Sequence, residues 1–266
     1  MGKKIKIGAL ISGGGSNLQA IIDACESGHI HGKVVFVGSD NPAASGLDRA
    51  KQHGIPSFAV DYGAIARKIK ADPSQVQYPR DLNMDHVLST MVATDQHQSS
   101  ENLRAFLQTR IPAEAGLLEH LTEYSFDLLV LAGFMRTLTP YFIDKINDPP
   151  EIQRIMNIHP ALLPAFPGVD GYGDTFRYGC KVGGCTVHFV DYGEDTGPII
   201  GQAFFEIAES DDLDTIRKKG LVEEWRLYPK CIQYAAEGRL KTEQVTHRLK
   251  NGKTFQRTVV RILPKT

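Results

Sequence analysis

Ile5-Lys6-Ile7-Gly8-Ala9-Leu10-Ile11-Ser12-Gly13-Gly14-Gly15-Ser16-Asn17-Leu18-Gln19-Ala20 carries the pattern that decides the fold. The apolar run Ile5–Ile11 reads as a buried strand. Ser12–Ser16 is a turn, and Leu18, Ile21 and Ile22 recur at helical spacing over Asn17–Cys25. A strand, a glycine loop and a helix together point backbone N–H groups and the positive end of a helix dipole at one spot. That geometry suits an anion. Neither standard phosphate fingerprint is met: Leu18 stands where G-x-G-x-x-G needs its third glycine, and no Gly-Lys-Ser/Thr follows. The same pattern also serves as a plain strand-to-helix connection. Further along, Lys33–Val37 reads as a strand, Ala43–His53 as a helix between Asn41-Pro42 and Gly54, and Pro56–Val60 as a third strand. This βαβαβ order predicts an α/β fold, a doubly wound, mostly parallel Rossmann-like sheet with right-handed crossovers.

The chain has 266 residues and a net charge of −1, so no global field draws it to nucleic acid or to an acidic membrane. A phosphate-bearing ligand needs a local cradle instead. Cys25, Cys180, Cys185 and Cys231 form no C-x-x-C pair and have no histidines at zinc spacing. They read as free thiols of a reducing, cytoplasmic compartment, with no metal. Lys3-Lys4 precedes an apolar run broken by Lys6 and Gly8, which reads as a first strand rather than a leader. No run approaches membrane-spanning length.

Residues 61–115 are long, polar and in places unpatterned, notably Thr94–Glu101. Short helices fit Ile65–Lys70, Met84–Val92 and Asn102–Thr109, so the stretch reads as an insertion, a lid or an oligomer contact. Leu117–Tyr124 is helical, and Phe126–Ala132 is the most strand-like run in the chain. Gly133–Leu138 follows its carboxyl end, where open α/β sheets bind ligands, and Thr139-Pro140 starts a helix. Later come strands at Thr186–Asp191 and Pro198–Glu206, and a long helix at Asp212–Glu237. Asn251-Gly252 marks a terminal hairpin between Val245–Leu249 and Thr254–Ile262, expected to extend the sheet. Residues 1–240 thus read as one domain with an insertion at about 61–115, and 241–266 as a hairpin extension of it.

Asn157-Ile158-His159-Pro160 holds the candidate chemistry. Ile155-Met156 feeds a strand on which Asn157 and His159 point the same way, and Pro160 ends its ladder. An amide donor beside an imidazole suits acyl transfer, one group stabilising an oxyanion and the other moving a proton. A strand end with a satisfied Asn and a surface His is the plainer alternative.

Asn157-Ile158-His159-Pro160-Ala161-Leu162-Leu163-Pro164, Gly184–Val190, Glu194–Ile200 and Ile11–Ala20 together resemble the folate-dependent formyltransferase family. The similarity covers most of residues 5–61 and 117–240. Pro160 and the closing Phe166-Pro167-Gly168 favour the branch acting on phosphoribosylglycinamide over the tRNA-formylating and deformylating branches. The resemblance implies transfer of a formyl group from 10-formyltetrahydrofolate to a ribonucleotide amine, with no metal. It implies Asn157, His159 and Asp195 as catalytic residues, with His188 orienting Asp195. It places Gly15, Ser16 and Asn17 on the phosphate and Glu224 on the ribose. It gives the folate to Met135, Arg136, Thr137 and Leu138, to Asp191, Tyr192, Gly193 and Glu194, and to Arg80. The expected partners are small molecules; a homodimer stays open. Two departures stand out. After Gly168 the family runs Leu-His-x-His, whereas this chain has Val169-Asp170-Gly171-Tyr172, and Leu221 replaces a polar nucleotide contact. A formyltransferase for another amine such as an amino sugar, or a deformylase, fits the same residues. A dinucleotide-binding oxidoreductase is the reading from another class, with Asp40 as its ribose reader; the missing third glycine counts against it.

Overall fold

The computed structural model describes residues 3–94, 100–149 and 152–265. Alternation along β1 (Ile5–Ile11) sets the architecture. Ile7, Ala9 and Ile11 join one buried cluster and Leu10 another, so both faces of the strand are covered. The chain continues through α1 (Ser16–Glu26), β2 (Gly32–Ser39), α2 (Gly46–Gln52) and β3 (Ser57–Ala59). α3 (Tyr62–Ala71), α4 (Met84–Thr94) and α5 (Ser100–Leu121) lead back to β4 (Leu128–Leu131). Then follow α6 (Pro140–Ile146), β5 (Ile155–His159), α7 (Gly171–Arg177), β6 (Val182–Phe189), β7 (Ile199–Glu206) and α8 (Leu213–Ala236). β8 (Leu240–Arg248) and β9 (Thr254–Ile262) end the chain.

Seven strands form one sheet in the order β3-β2-β1-β4-β5-β6-β7. The first five run parallel, β6 is antiparallel to both of its neighbours, and β7 again runs with the first five. The chain leaves β1 toward β2 and β3 and returns on the other side at β4. A crevice therefore opens at the carboxyl ends of β1 and β4, the place where doubly wound sheets bind ligands. β5 borders it, in register with Leu131 of β4 and His188 of β6 at Asn157.

Two sequence expectations are corrected. The separate helices read at Asn102–Thr109 and Leu117–Tyr124 are one helix, α5, which passes through Pro112. Its apolar stripe continues across the proline: Leu103, Leu107 and Ile111 pack with Val87 and Tyr141, and Ala113, Leu117 and Leu121 pack on the sheet. Burial along both halves outweighs the hydrogen bond that proline removes. Much of 61–115 is thus helical with its own small core, although residues 95–99 of the unpatterned run lie outside the described residues. The hairpin, in turn, does not extend the seven-stranded sheet; β8 and β9 pair only with each other. Leu240 and Val260 at its base pack beside Ala203 and Ala235, while most of its remaining side chains face solvent. The hairpin is held by that base rather than by a backbone ladder on β7.

Two buried polar contacts brace the crevice. The Tyr228 hydroxyl on α8, wholly buried, lies 2.7 Å from the Met156 carbonyl and 3.2 Å from that of Leu131, and so ties β4 to β5 just before Asn157. Glu114 on α5, also wholly buried, accepts the Thr139 N–H at 2.9 Å and the Thr139 hydroxyl. Thr139 caps α6 through Phe142 N–H. Burial pushes the Glu114 carboxyl up to about 7.

Tyr228→Phe strands a buried carbonyl and should cost about 1–3 kcal/mol of unfolding free energy in denaturant titration. A raised folded pKa means that the folded protein binds the proton more tightly. Stability from this group should therefore fall as pH rises from 4.5 to about 7. Glu114→Gln should flatten that part of the melting-temperature profile; an unchanged slope would contradict the assignment.

Candidate active site

Asn157 and His159 reach the crevice from the last turn of pleat on β5, as their shared parity requires. They line a cleft of about 180 Å³ with Met135, Arg136, Thr137 and Leu138, which follow β4. The loop from β6 to β7 closes the opposite side, where Asp191, Gly193, Glu194 and Asp195 also line the cleft. Met135 is tied in place by its N–H, which donates to Ser12 Oγ at 2.8 Å; the Ser12 N–H donates to the Gly133 carbonyl at 3.0 Å. The end of β1 and the segment after β4 therefore move as one piece.

Asp195 is the hub. Its backbone sits at φ 52°, a region Asp tolerates better than most side chains. A Cβ at Gly197 would lie 1.8 Å from the Phe189 carbonyl, so the loop can turn there only with glycine. The loop braces itself as well: Thr196 Oγ donates to Asp191 Oδ1 at 2.6 Å, and Gly193 N–H donates to the same oxygen at 3.2 Å. Asp195 Oδ2 lies 3.1 Å from His159 Nδ1 and accepts the Gly168 N–H at 2.9 Å. Asp195 Oδ1 is 3.6 Å from His188 Nε2. Burial pushes the Asp195 carboxyl upward, but the His188 contact, the Gly168 N–H and the two imidazoles outweigh it. The net effect holds the carboxyl below its ordinary value.

The histidines divide the work. His159 is buried, with Nδ1 facing Asp195 and Nε2 donating to the Phe166 carbonyl at 2.7 Å. Both ring nitrogens face acceptors, so only the doubly protonated ring donates to both. His188 Nδ1–H donates to the Phe189 carbonyl at 2.9 Å; its Nε2 faces Asp195 Oδ1 when protonated and, when neutral, accepts from Asn157 Nδ2 at 3.2 Å. That bond fixes the Asn157 amide with its second N–H free to meet a developing oxyanion. His188 thus touches Asn157 more closely than Asp195.

The glycine loop forms a second cluster behind the cleft. Gly15 caps α1 at φ 67°, and the loop is held by α2: Gly46 N–H donates to the Gly13 carbonyl at 3.0 Å and Arg49 Nε to that of Gly14 at 2.8 Å. Asn17 Nδ2 and the Tyr172 hydroxyl each donate to Glu224 at 2.6 Å. Burial raises the Glu224 carboxyl. Ser16 lies on the far side of α1, in a broad groove of about 990 Å³ that holds none of the acid–base pairs of the cleft.

Two sequence-assigned residues stand apart. Tyr192 turns outward, and its hydroxyl donates to Asp144 at 2.6 Å. Arg80 is exposed and does not line the cleft. Asp40 is buried against Arg136, an arrangement that opposes its use as a ribose reader. Sequence reasoning missed Arg67, Arg49 and Tyr172. Arg67 and Arg136 line a neighbouring cavity of about 480 Å³. Arg67 sits on α3, at the start of the stretch read as an insertion; Tyr172 was visible only as a departure from the expected imidazole.

The formyl transferase family profile matches residues 5–232. The phosphoribosylglycinamide formyltransferase of Bacillus subtilis (strain 168) is 33% identical over 228 residues, 86% of this chain and 93% of that protein. Its namesake from Escherichia coli (strain K12) is 33% identical over 240 residues, 90% of this chain and 91% of that one. The chain spans 14% of the trifunctional purine biosynthetic protein adenosine-3 of Chironomus tentans, with 32% identity over 237 residues. Glycinamide ribonucleotide transformylase 1 from Symbiobacterium toebii superposes with a TM-score of 0.71 at 36% identity, covering 99% of this chain and 96% of that one. A formyltetrahydrofolate deformylase from Pseudomonas syringae pv. tomato, 18% identical with a TM-score of 0.67, shares the fold alone.

A depressed folded pKa makes Asp195 stabilising above its ordinary value of 3.8, and that stability is lost as pH falls through the folded value. Asparagine tolerates the positive φ, so Asp195→Asn should fold and show a shallower loss of melting temperature on acidification than the parent. Parallel curves below pH 3.8 would contradict the site electrostatics.

Proposed function

The chain belongs to the formyl transferase family, and we propose that it moves the formyl group of 10-formyltetrahydrofolate to the amine of phosphoribosylglycinamide. The observation that carries the reading is the Asn157–His159–Asp195 arrangement at the mouth of the cleft. The amine nitrogen attacks the formyl carbon, and the carbonyl electrons move to oxygen. Asn157 Nδ2–H donates to that oxyanion. His159 Nε2–H, given to the Phe166 carbonyl in the resting site, is the second donor when the formyl oxygen enters. Phe166 sits at φ 54°, an uncommon conformation for an aromatic residue. The proton lost by the amine passes through the Asp195–His159 pair to the leaving N10, and the C–N10 bond breaks.

The folate reading has the pterin between Met135–Leu138 and the braced Asp191–Asp195 loop. A glutamate carboxylate of its tail suits the Arg67 guanidinium beside the neighbouring cavity, where Arg136 is already paired with Asp40. The ribonucleotide phosphate suits the Gly13–Ser16 turn and the first N–H groups of α1.

The test is formyl transfer to phosphoribosylglycinamide by the purified protein. Asn157→Ala should lower kcat by about 10²–10³-fold with folding retained. Gly15→Val, which forces a branched side chain to φ 67°, should raise KM for the ribonucleotide far more than for the folate. Unchanged turnover in the first variant would remove Asn157 from the mechanism.

A further inference from the structure

We infer that Tyr172 is a positioning residue: its hydroxyl fixes the Glu224 carboxylate so that Glu224 and Asn17 read the cis-diol of a ribose phosphate. The inference rests on the ribonucleotide reading above. The Tyr172 hydroxyl donates to Glu224 Oε1 and Asn17 Nδ2 donates to Glu224 Oε2, each at 2.6 Å. All three side chains are nearly sealed, with 6%, 5% and 7% exposure for Tyr172, Glu224 and Asn17. Within this cluster Asn17 Oδ1 is a buried acceptor with no partner. A buried acceptor without a donor is costly, and it marks the place where a donor belongs.

What is missing is hydroxyl hydrogens. Each Glu224 oxygen has taken one donor and keeps further lone-pair capacity, and Asn17 Oδ1 has taken none. A vicinal diol supplies two O–H donors on adjacent carbons, which matches a set of acceptors on two neighbouring side chains. A phosphate dianion would not match it, because it carries no donors.

Tyr172 is built into this arrangement. Its ring lies over Gly220 of α8, where a Cβ would come within 2.1 Å of Cζ and 2.4 Å of the hydroxyl. Gly171 passes so close to Pro160 that a Cβ there would lie 2.6 Å from its carbonyl. Asp170, one residue earlier, is held by Arg177 at 2.9 Å and by Arg217 of α8 at 3.2 Å. The backbone just before Tyr172 is thus pinned to Pro160 and to α8, and the ring is seated on Gly220.

The experiment is calorimetric titration of the intact protein with ribose 5-phosphate and with 2-deoxyribose 5-phosphate, in the parent and in Tyr172→Phe. The parent should bind the ribose form about tenfold more tightly, the worth of one hydrogen bond to a charged group. Tyr172→Phe should lose that discrimination and still bind the deoxy form within about twofold, since the phosphate contacts are untouched. Gly220→Ala, which displaces the ring, should reproduce the loss in a protein whose melting is still cooperative. Equal weakening of both ligands, unchanged discrimination, or tighter ribose binding in Tyr172→Phe would each overturn the inference and leave the ribonucleotide reading standing. No discrimination in the parent would overturn both.

Discussion

The contact between Asp195 and His159 is the one on which the site depends. It joins a loop between two antiparallel strands to the end of a parallel strand, and the same carboxylate also captures the Gly168 N–H of the loop that follows β5. A buried carboxylate is tolerated only when its oxygens are occupied by donors or cations. Here the occupants are the parts that must be brought together. Removing the carboxylate leaves His159 without the acceptor for Nδ1 and the Gly168 loop without its anchor.

The surrounding structure serves to hold that contact in place. Glycine at 197 lets the chain turn against Phe189 so that Asp195 can face β5. Tyr228 locks β4 to β5 immediately before Asn157, and Ser12 locks the end of β1 to the segment after β4. His188 pairs with Asn157 across the β5–β6 register and fixes which way its amide points. The cleft is thus pre-organised by backbone ties and buried hydroxyls, and donors aimed before the reaction need no reorganisation during it. In the proposed reaction the Phe166 carbonyl gives up His159 Nε2–H to the formyl oxygen.

The fold was legible because its signals are local. β1 has the same limits in the sequence and in the structure, and α1 differs by one residue at each end. The parity of Asn157 and His159 foretold that they would share the cleft. The long-range partners were not legible. No local pattern says that Glu114 will cap α6 through Thr139, or that Pro112 will be absorbed in a continuous helix, since both follow from burial between distant segments. The hairpin was recognised from Asn251-Gly252, but its separation from the sheet depends on side chains packed at its base. Tyr172 could be seen only as a missing imidazole, and its hydrogen bond to Glu224 needed the three-dimensional register of α7 on α8.

Water is the competitor that this site must refuse, because the same donors that activate a formyl group for an amine would activate it for hydrolysis. The most direct measurement is the rate of formate release from 10-formyltetrahydrofolate by the intact protein, with and without phosphoribosylglycinamide. The account predicts that the folate is consumed only when the amine is present and that the formyl group is recovered on the ribonucleotide. Formate release at the same rate in both mixtures would contradict it.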